Sequence, residues 1–160
     1  MSVCQLRPTS RGRVRLASPD PLAAPSMQPY YLSTDEDRAC AVAAMRFTRK
    51  LAATRALSPY VAEEYRPGVT AQSDDDLLAF ARAYGATIFH PSGTCKMGND
   101  AMAVVDDRLR VRGVRGLRVA DCSIMPTLVS GNTNAPVVMI AEKAADLILE
   151  SVQLAAESRA

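Results

Sequence analysis

One imidazole is available to this chain, His90, in the stretch His90-Pro-Ser-Gly-Thr-Cys-Lys-Met-Gly98. Histidine is the side chain best matched to moving a proton near neutral pH. Pro91 biases the His90 backbone away from helix, and Gly93 lets the chain turn tightly just after it. The ring is therefore displayed at the end of the strand-like run Thr87-Ile-Phe89. Two more groups follow. Asp121 closes the apolar run Leu117-Arg-Val-Ala120, and an acid beyond the carboxyl end of a strand can accept hydrogen bonds from a ribose or polyol hydroxyl. Asn132-Thr-Asn134-Ala-Pro136 then opens the last long apolar stretch. Asn134 suits an N-cap there, and Pro136 suits a first turn, where its missing N–H costs nothing. The free N–H groups of such a helix start favour negative charge placed over them.

Each of these residues also has a plainer reading. A solitary histidine is more often a satisfied surface or core side chain than a base. His90 and Cys95 together supply too few ligands for a metal, so none is expected. Asp121 fits a helix cap or loop ion pair as well as it fits a ligand contact. Capping fully explains Asn134, but it leaves Gly131-Asn132 unexplained. Arg108, Arg110, Arg112, Arg115 and Arg118 read as the solvated faces of neighbouring strands. Without interleaved aromatics they do not point to nucleic acid.

The elements that must position these groups follow from pattern. Gly12-Arg-Val-Arg-Leu-Ala17 alternates like a short half-exposed strand, and the prolines at 19, 21, 25 and 29 make the rest of the opening extended loop. Ser33-Thr-Asp-Glu36 is a capping-box pattern. The helix it opens has the stripe Cys40, Ala44, Phe47 and Leu51, cations Arg49, Lys50 and Arg55 near its end, and a stop at Ser58-Pro59. A shorter helix begins near Ser73, carries Asp74 to Asp76 in its first turn and Leu77, Leu78 and Phe80 on its apolar side, and stops at Gly85. Val104–Val111 and Leu117–Ala120 are strand candidates around a Gly113–Gly116 turn. The last helix should run from about Asn134 to Val152, burying Val137, Ile140, Ala141, Ala144 and Ile148. Residues 153–160 should fray.

Composition sets the outer limits. A chain of 160 residues can bury a real core. A net charge of +2 is too small to argue for nucleic acid or an anionic membrane. No apolar run approaches the roughly 20 residues of a membrane helix, and MSVCQLRPTSRGR lacks a signal-peptide core. The four cysteines are scattered, which suits reduced thiols and a cytoplasmic location. Peripheral membrane association is compatible with the same composition.

At these residues the chain resembles the glucose-methanol-choline (GMC) oxidoreductases, most closely their choline dehydrogenase-like branch. FHPSGTCKMG looks like the family's His-Pro-x-Gly-Thr segment. VVDDRLRVRGVRGLRVADCSIMPTLVSGNTNAPVVMIAEKAAD looks like its C-terminal signature almost throughout, and CQLRPTSRGRVRLASPDP with YYLSTDEDR looks like the run into it. The likeness covers residues 2–152. It implies an α/β (mixed α+β) fold, with a C-terminal domain over 1–152. Residues 14–112 would be mainly substrate domain, and 113–152 would be a strand and helix completing an FAD domain. It implies FAD as cofactor and a small-molecule alcohol as substrate. His90 would take or orient the hydroxyl proton and Asn132 would hydrogen-bond the substrate oxygen. Ala120 and Asp121 would lie near the ribityl–diphosphate region, and Asn134, Ala135 and Pro136 near the flavin pyrimidine. An anionic reduced flavin suits the free N–H groups of that helix start.

The chain departs from the family pattern in one large respect. No GxGxxG follows a strand and opens a helix anywhere in the 160 residues. The expectation is therefore the C-terminal part of an FAD-dependent alcohol dehydrogenase or oxidase that needs an N-terminal FAD-binding half. That half would be a partner if encoded separately. The alternative is a non-catalytic remnant or interaction module that keeps the fold.

Overall fold

The computed structural model describes residues 1–157. The chain is of the α/β class, with helices and one small sheet, and it divides into two compact units, Met1–Ile88 and the segment from Phe89 onward.

In the first unit, β1 (Arg13–Arg15) pairs antiparallel with β2 (Ser26–Gln28), Val14 opposite Met27. The second strand lies in what reads from its prolines as loop. Pro25 and Pro29 flank it without entering it, so the ladder loses no N–H. Gly12 is needed at the strand start, because a β-carbon there would stand 2.4 Å from the Gln28 carbonyl oxygen. The first helix, α1 (Asp35–Ala52), is capped one residue later than the sequence pattern suggests. Thr34, not Ser33, accepts the N–H of Asp37. Asp37 is consequently turned inward, and its carboxylate accepts the N–H groups of Thr9 and Ser10 and the Thr9 hydroxyl. Of the expected stripe, Phe47 and Leu51 are exposed, and Val42 is the buried apolar residue of the helix. The helix ends at Ala52, ahead of Ser58-Pro59, which forms a separate 3-10 turn, and Arg55 lies beyond it. The second helix, α2 (Asp74–Tyr84), starts as its sequence indicates. Ser73 and Asp76 form a reciprocal capping box, and Leu77 is fully buried. Gly85 caps its end in extended rather than left-handed geometry. Arg46 of α1 pairs with Asp74 of α2.

The second unit contains no extended ladder among the described residues. Thr87-Ile-Phe89 is not a strand, and Phe89 has φ 62°. Val104–Val111 is not one strand either. It folds back on itself so that Val105 bridges Val111, with Leu109 in the left-handed region at φ 62°. Asp106 drives that reversal. Its side chain accepts the N–H groups of Arg108 and Arg110 and pairs with the Arg110 guanidinium. Partial burial pushes the Asp106 carboxyl up, but these bonds outweigh it and hold the group below its ordinary range. Leu117–Ala120 contributes only a bridge from Arg118 to Arg110. The last helix, α3 (Asn134–Glu157), passes the expected end at Val152, so residues 153–157 are helical, and 158–160 lie outside the described residues. Its buried side chains are Ile140, Ala144 and Leu147, packed with Val105, Leu109, Ile124 and Met125. Ala141 and Ile148, expected inside, are exposed.

Candidate functional site

The loop after His90 is held by backbone bonds to the segment after Asp121. The N–H groups of Gly93, Cys95 and Met97 donate to the carbonyls of Cys122, Ser123 and Ile124 at 3.3, 2.9 and 2.8 Å. Cys122–Ile124 form a 3-10 turn whose cap is Asp121, accepting the Ser123 N–H at 2.7 Å. The strand-end reading of Asp121 is therefore replaced by a cap, because Leu117–Ala120 has no ladder to end. Ile124 and Met125 are buried behind the turn and tie it to the core that also receives α3. Through this chain of contacts, segments 90–97, 121–125 and 132–137 meet in one unit.

His90 and Asn132, 42 positions apart in sequence, are in hydrogen-bond contact. His90 Nε2 lies 3.2 Å from Asn132 Oδ1. The other ring nitrogen, Nδ1, lies 3.1 Å from the hydroxyl of Thr133. Thr133 is buried, and its carbonyl accepts the Val137 N–H of α3 at 3.0 Å. Asn134 is thus already the first helical residue rather than the N-cap. Asn134 and Ala135 are exposed at the helix start, and Pro136 is half-buried. Ala120 and Asp121 are exposed. The same unit holds an open depression of about 420 Å³, lined by Phe89, Pro91, Ser92 and Thr94, by Asp121, Cys122 and Ser123, and by Val137. His90 stands between two of the lining residues, Phe89 and Pro91, but neither it nor Asn132 lines the depression. The Ser123 hydroxyl oxygen is buried with no hydrogen-bond partner among the described residues.

Thr133 and Ser123 are the polar groups that sequence reasoning passes over. Thr133 stands between two asparagines that draw attention first, although a threonine before a helix is itself an N-cap candidate. Nothing in the sequence marks Ser123. Among the described residues no group of three or more His, Cys, Asp or Glu side chains could hold a metal. No described helix is long and apolar enough to cross a membrane. Four of the five arginines bind within the protein: Arg108 pairs with Glu150, Arg110 with Asp106, Arg112 donates to the Gly98 carbonyl, and Arg118 donates to Arg108 O and Ser151.

The model of the GMC oxidoreductase family, in its C-terminal domain, matches residues 8–141. The chain belongs to that family. It is 44% identical over 155 residues to an alcohol dehydrogenase [acceptor] of Pseudomonas putida, covering 97% of this chain and 28% of that one. It is 51% identical over 146 residues to an oxygen-dependent choline dehydrogenase of Proteus mirabilis, covering 91% and 26% respectively. In structure it resembles an FAD-dependent oxidoreductase from Chaetomium thermophilum, with a TM-score of 0.86 at 30% identity, over 92% of this chain and 26% of the other. The chain thus spans about a quarter of the length of the relatives it matches.

Proposed function

We propose that this chain forms the proton-handling wall of an FAD-dependent oxidoreductase acting on the CH–OH group of a small alcohol. The contact of His90 Nε2 with Asn132 Oδ1 carries the reading. In this reading His90 accepts the hydroxyl proton at Nε2, and the Asn132 amide fixes the substrate oxygen. Holding that oxygen while its proton leaves stabilises developing alkoxide, which makes loss of the neighbouring hydride easier. FAD, when bound, supplies the hydride acceptor.

The residues present suit one edge of such a cofactor. The unpartnered Ser123 hydroxyl is a buried polar group in want of a ligand. Val137 gives the depression an apolar surface, and the start of α3 presents free N–H groups. Asp121, Ala120 and the backbone of Asn134, Ala135 and Pro136 would hold the cofactor. Residues 14–112 would serve mainly the substrate domain, and 113–152 would complete the FAD domain. Because no glycine-rich phosphate loop occurs in the sequence, tight FAD binding would require a second, fingerprint-bearing segment.

Two measurements test this. The 160-residue chain should purify without stoichiometric flavin, and tight FAD binding by it alone would remove the dependence on a second segment. With a flavin-binding segment supplied in cis or in trans, the assembly should oxidise a primary alcohol with dye reduction. His90→Ala should lower kcat/KM roughly 10²–10⁴-fold, the usual contribution of a general base. Unchanged turnover in that variant would take His90 out of the chemistry and favour a non-catalytic module.

A further inference from the structure

The two nitrogens of His90 face different surroundings. Nε2 meets Asn132, which is exposed, whereas Nδ1 meets the hydroxyl of Thr133, which is 7% exposed. The start of α3 fixes the Thr133 backbone through the Val137 N–H. The inner nitrogen of the ring is thus held by a group that is itself immobilised.

From this geometry we propose that Thr133 is a positioning residue for His90, its hydroxyl orienting the ring and governing which nitrogen carries the proton. The proposal rests on the reading of His90 as the proton-handling group. Asn132 Oδ1 can only accept, so its approach to Nε2 matches the tautomer with hydrogen on Nε2, in which Nδ1 accepts the Thr133 O–H. For Nε2 to take a proton from an alcohol, the ring must first carry its hydrogen on Nδ1. Then the alcohol O–H breaks, the Nε2–H bond forms, and the ring becomes an imidazolium beside an alkoxide. A hydroxyl is the one kind of neighbour that serves throughout. It donates to bare Nδ1 and, by turning about its C–O bond, accepts from Nδ1–H. A carbonyl would fix the hydrogen on Nδ1, and an ammonium would forbid it.

His90 is the only histidine, so ¹⁵N-labelled imidazole in the full chain gives one Nδ1 and one Nε2 resonance. Thr133→Val, which keeps the shape and removes the hydroxyl, should shift the Nδ1 resonance to that of an unbonded ring nitrogen, and Thr133→Ser should restore it. If Thr133→Val does not fold, as judged by its helical circular dichroism, Thr133→Ala serves in its place. Identical Nδ1 resonances in the wild type and the hydroxyl-less variant would overturn the proposal. In the flavin-loaded assembly, Thr133→Val should lower kcat roughly 10–100-fold, the range of a group that orients a ligating or reacting imidazole, with little change in KM. Thr133→Ser should recover most of that rate. A loss expressed in KM alone would count against a role in proton handling. The NMR arm does not depend on turnover. Failure there removes Thr133 alone, whereas full activity of His90→Ala removes the functional reading on which the proposal rests.

Discussion

Gly93 has φ +83°, and a β-carbon on it would stand 3.2 Å from the carbonyl oxygen of Met125. Both facts disfavour any side chain. Gly93→Ala should destabilise the chain by about 1–2 kcal/mol, from left-handed strain plus a close contact. A urea melt measures this, and stability equal to wild type would mean that the turn relaxes freely. Asp37 offers a second residue-scale test. Burial pushes its carboxyl up, but hydrogen bonds from Ser10 and Thr9 outweigh that and draw it far below its ordinary value of 3.8. A carboxylate depressed in the folded state stabilises above its unfolded pKa, and that stabilisation is lost as pH falls through the folded one. Asp37→Asn should therefore cost about 1–3 kcal/mol at neutral pH, with the gap to wild type closing below about pH 4. A gap that stayed constant down to pH 2 would show that charge is not involved. Legibility at this scale was uneven. His90, Asn132 and Asp121 could be picked out by residue type. The pairing of His90 with Asn132 could not, because a contact across 42 positions depends on the folded path and was accessible only through family resemblance. Thr133 and Asp37 were missed for a narrower reason. Each depends on a helix starting one residue away from where pattern puts it, and one residue turns a side chain by about 100°.

Among the elements, the helices were legible to within about a residue at their starts, because capping signals are written locally. Ser73 with Asp74 to Asp76 needed no tertiary knowledge. The strands of the second unit were not, since Val104–Val111 has the right apolar content and still reverses. Asp106-Asp107 is a turn signal inside the run, and the bonds from Arg108 and Arg110 to the Asp106 carboxylate favour a local loop over extension. In α3 the period was right and the face right in part: Ile140 and Ala144 are buried and Val137 packs against them, but Leu147 completes the face in place of Ala141 and Ile148. The sequence is apolar on more than one face, so periodicity alone cannot say which face meets the core. Neighbouring residues separate the two readings. Leu147→Ala, from a position 6% exposed, should cost about 2–5 kcal/mol. Ile148→Ala, from a position 45% exposed, should cost well under about 1.5 kcal/mol. Chemical denaturation of the two variants decides it, and equal losses would contradict the burial of Leu147 in preference to Ile148.

For the molecule as a whole, the distribution of buried apolar side chains determines how it should behave in solution. The described core of the second unit gathers residues from the 103–125 region and from α3, whereas the first unit buries only Val42 and Leu77 among its described hydrophobic residues. On α3, Val138, Met139, Leu149 and Val152 remain exposed opposite the packed side, so a helix with two apolar aspects has only one covered. Uncovered apolar surface of this kind drives association. The isolated chain should therefore self-associate with rising concentration in sedimentation velocity and bind a dye such as ANS. Replacing Leu149 and Val152 with glutamate should weaken both effects while leaving the melting of the second unit nearly unchanged, because neither side chain belongs to its core. Supplying a flavin-binding segment should suppress association in the wild type if that segment covers the same surface. A monodisperse wild-type monomer that binds no dye and melts in one sharp transition would show that the exposed apolar residues need no cover.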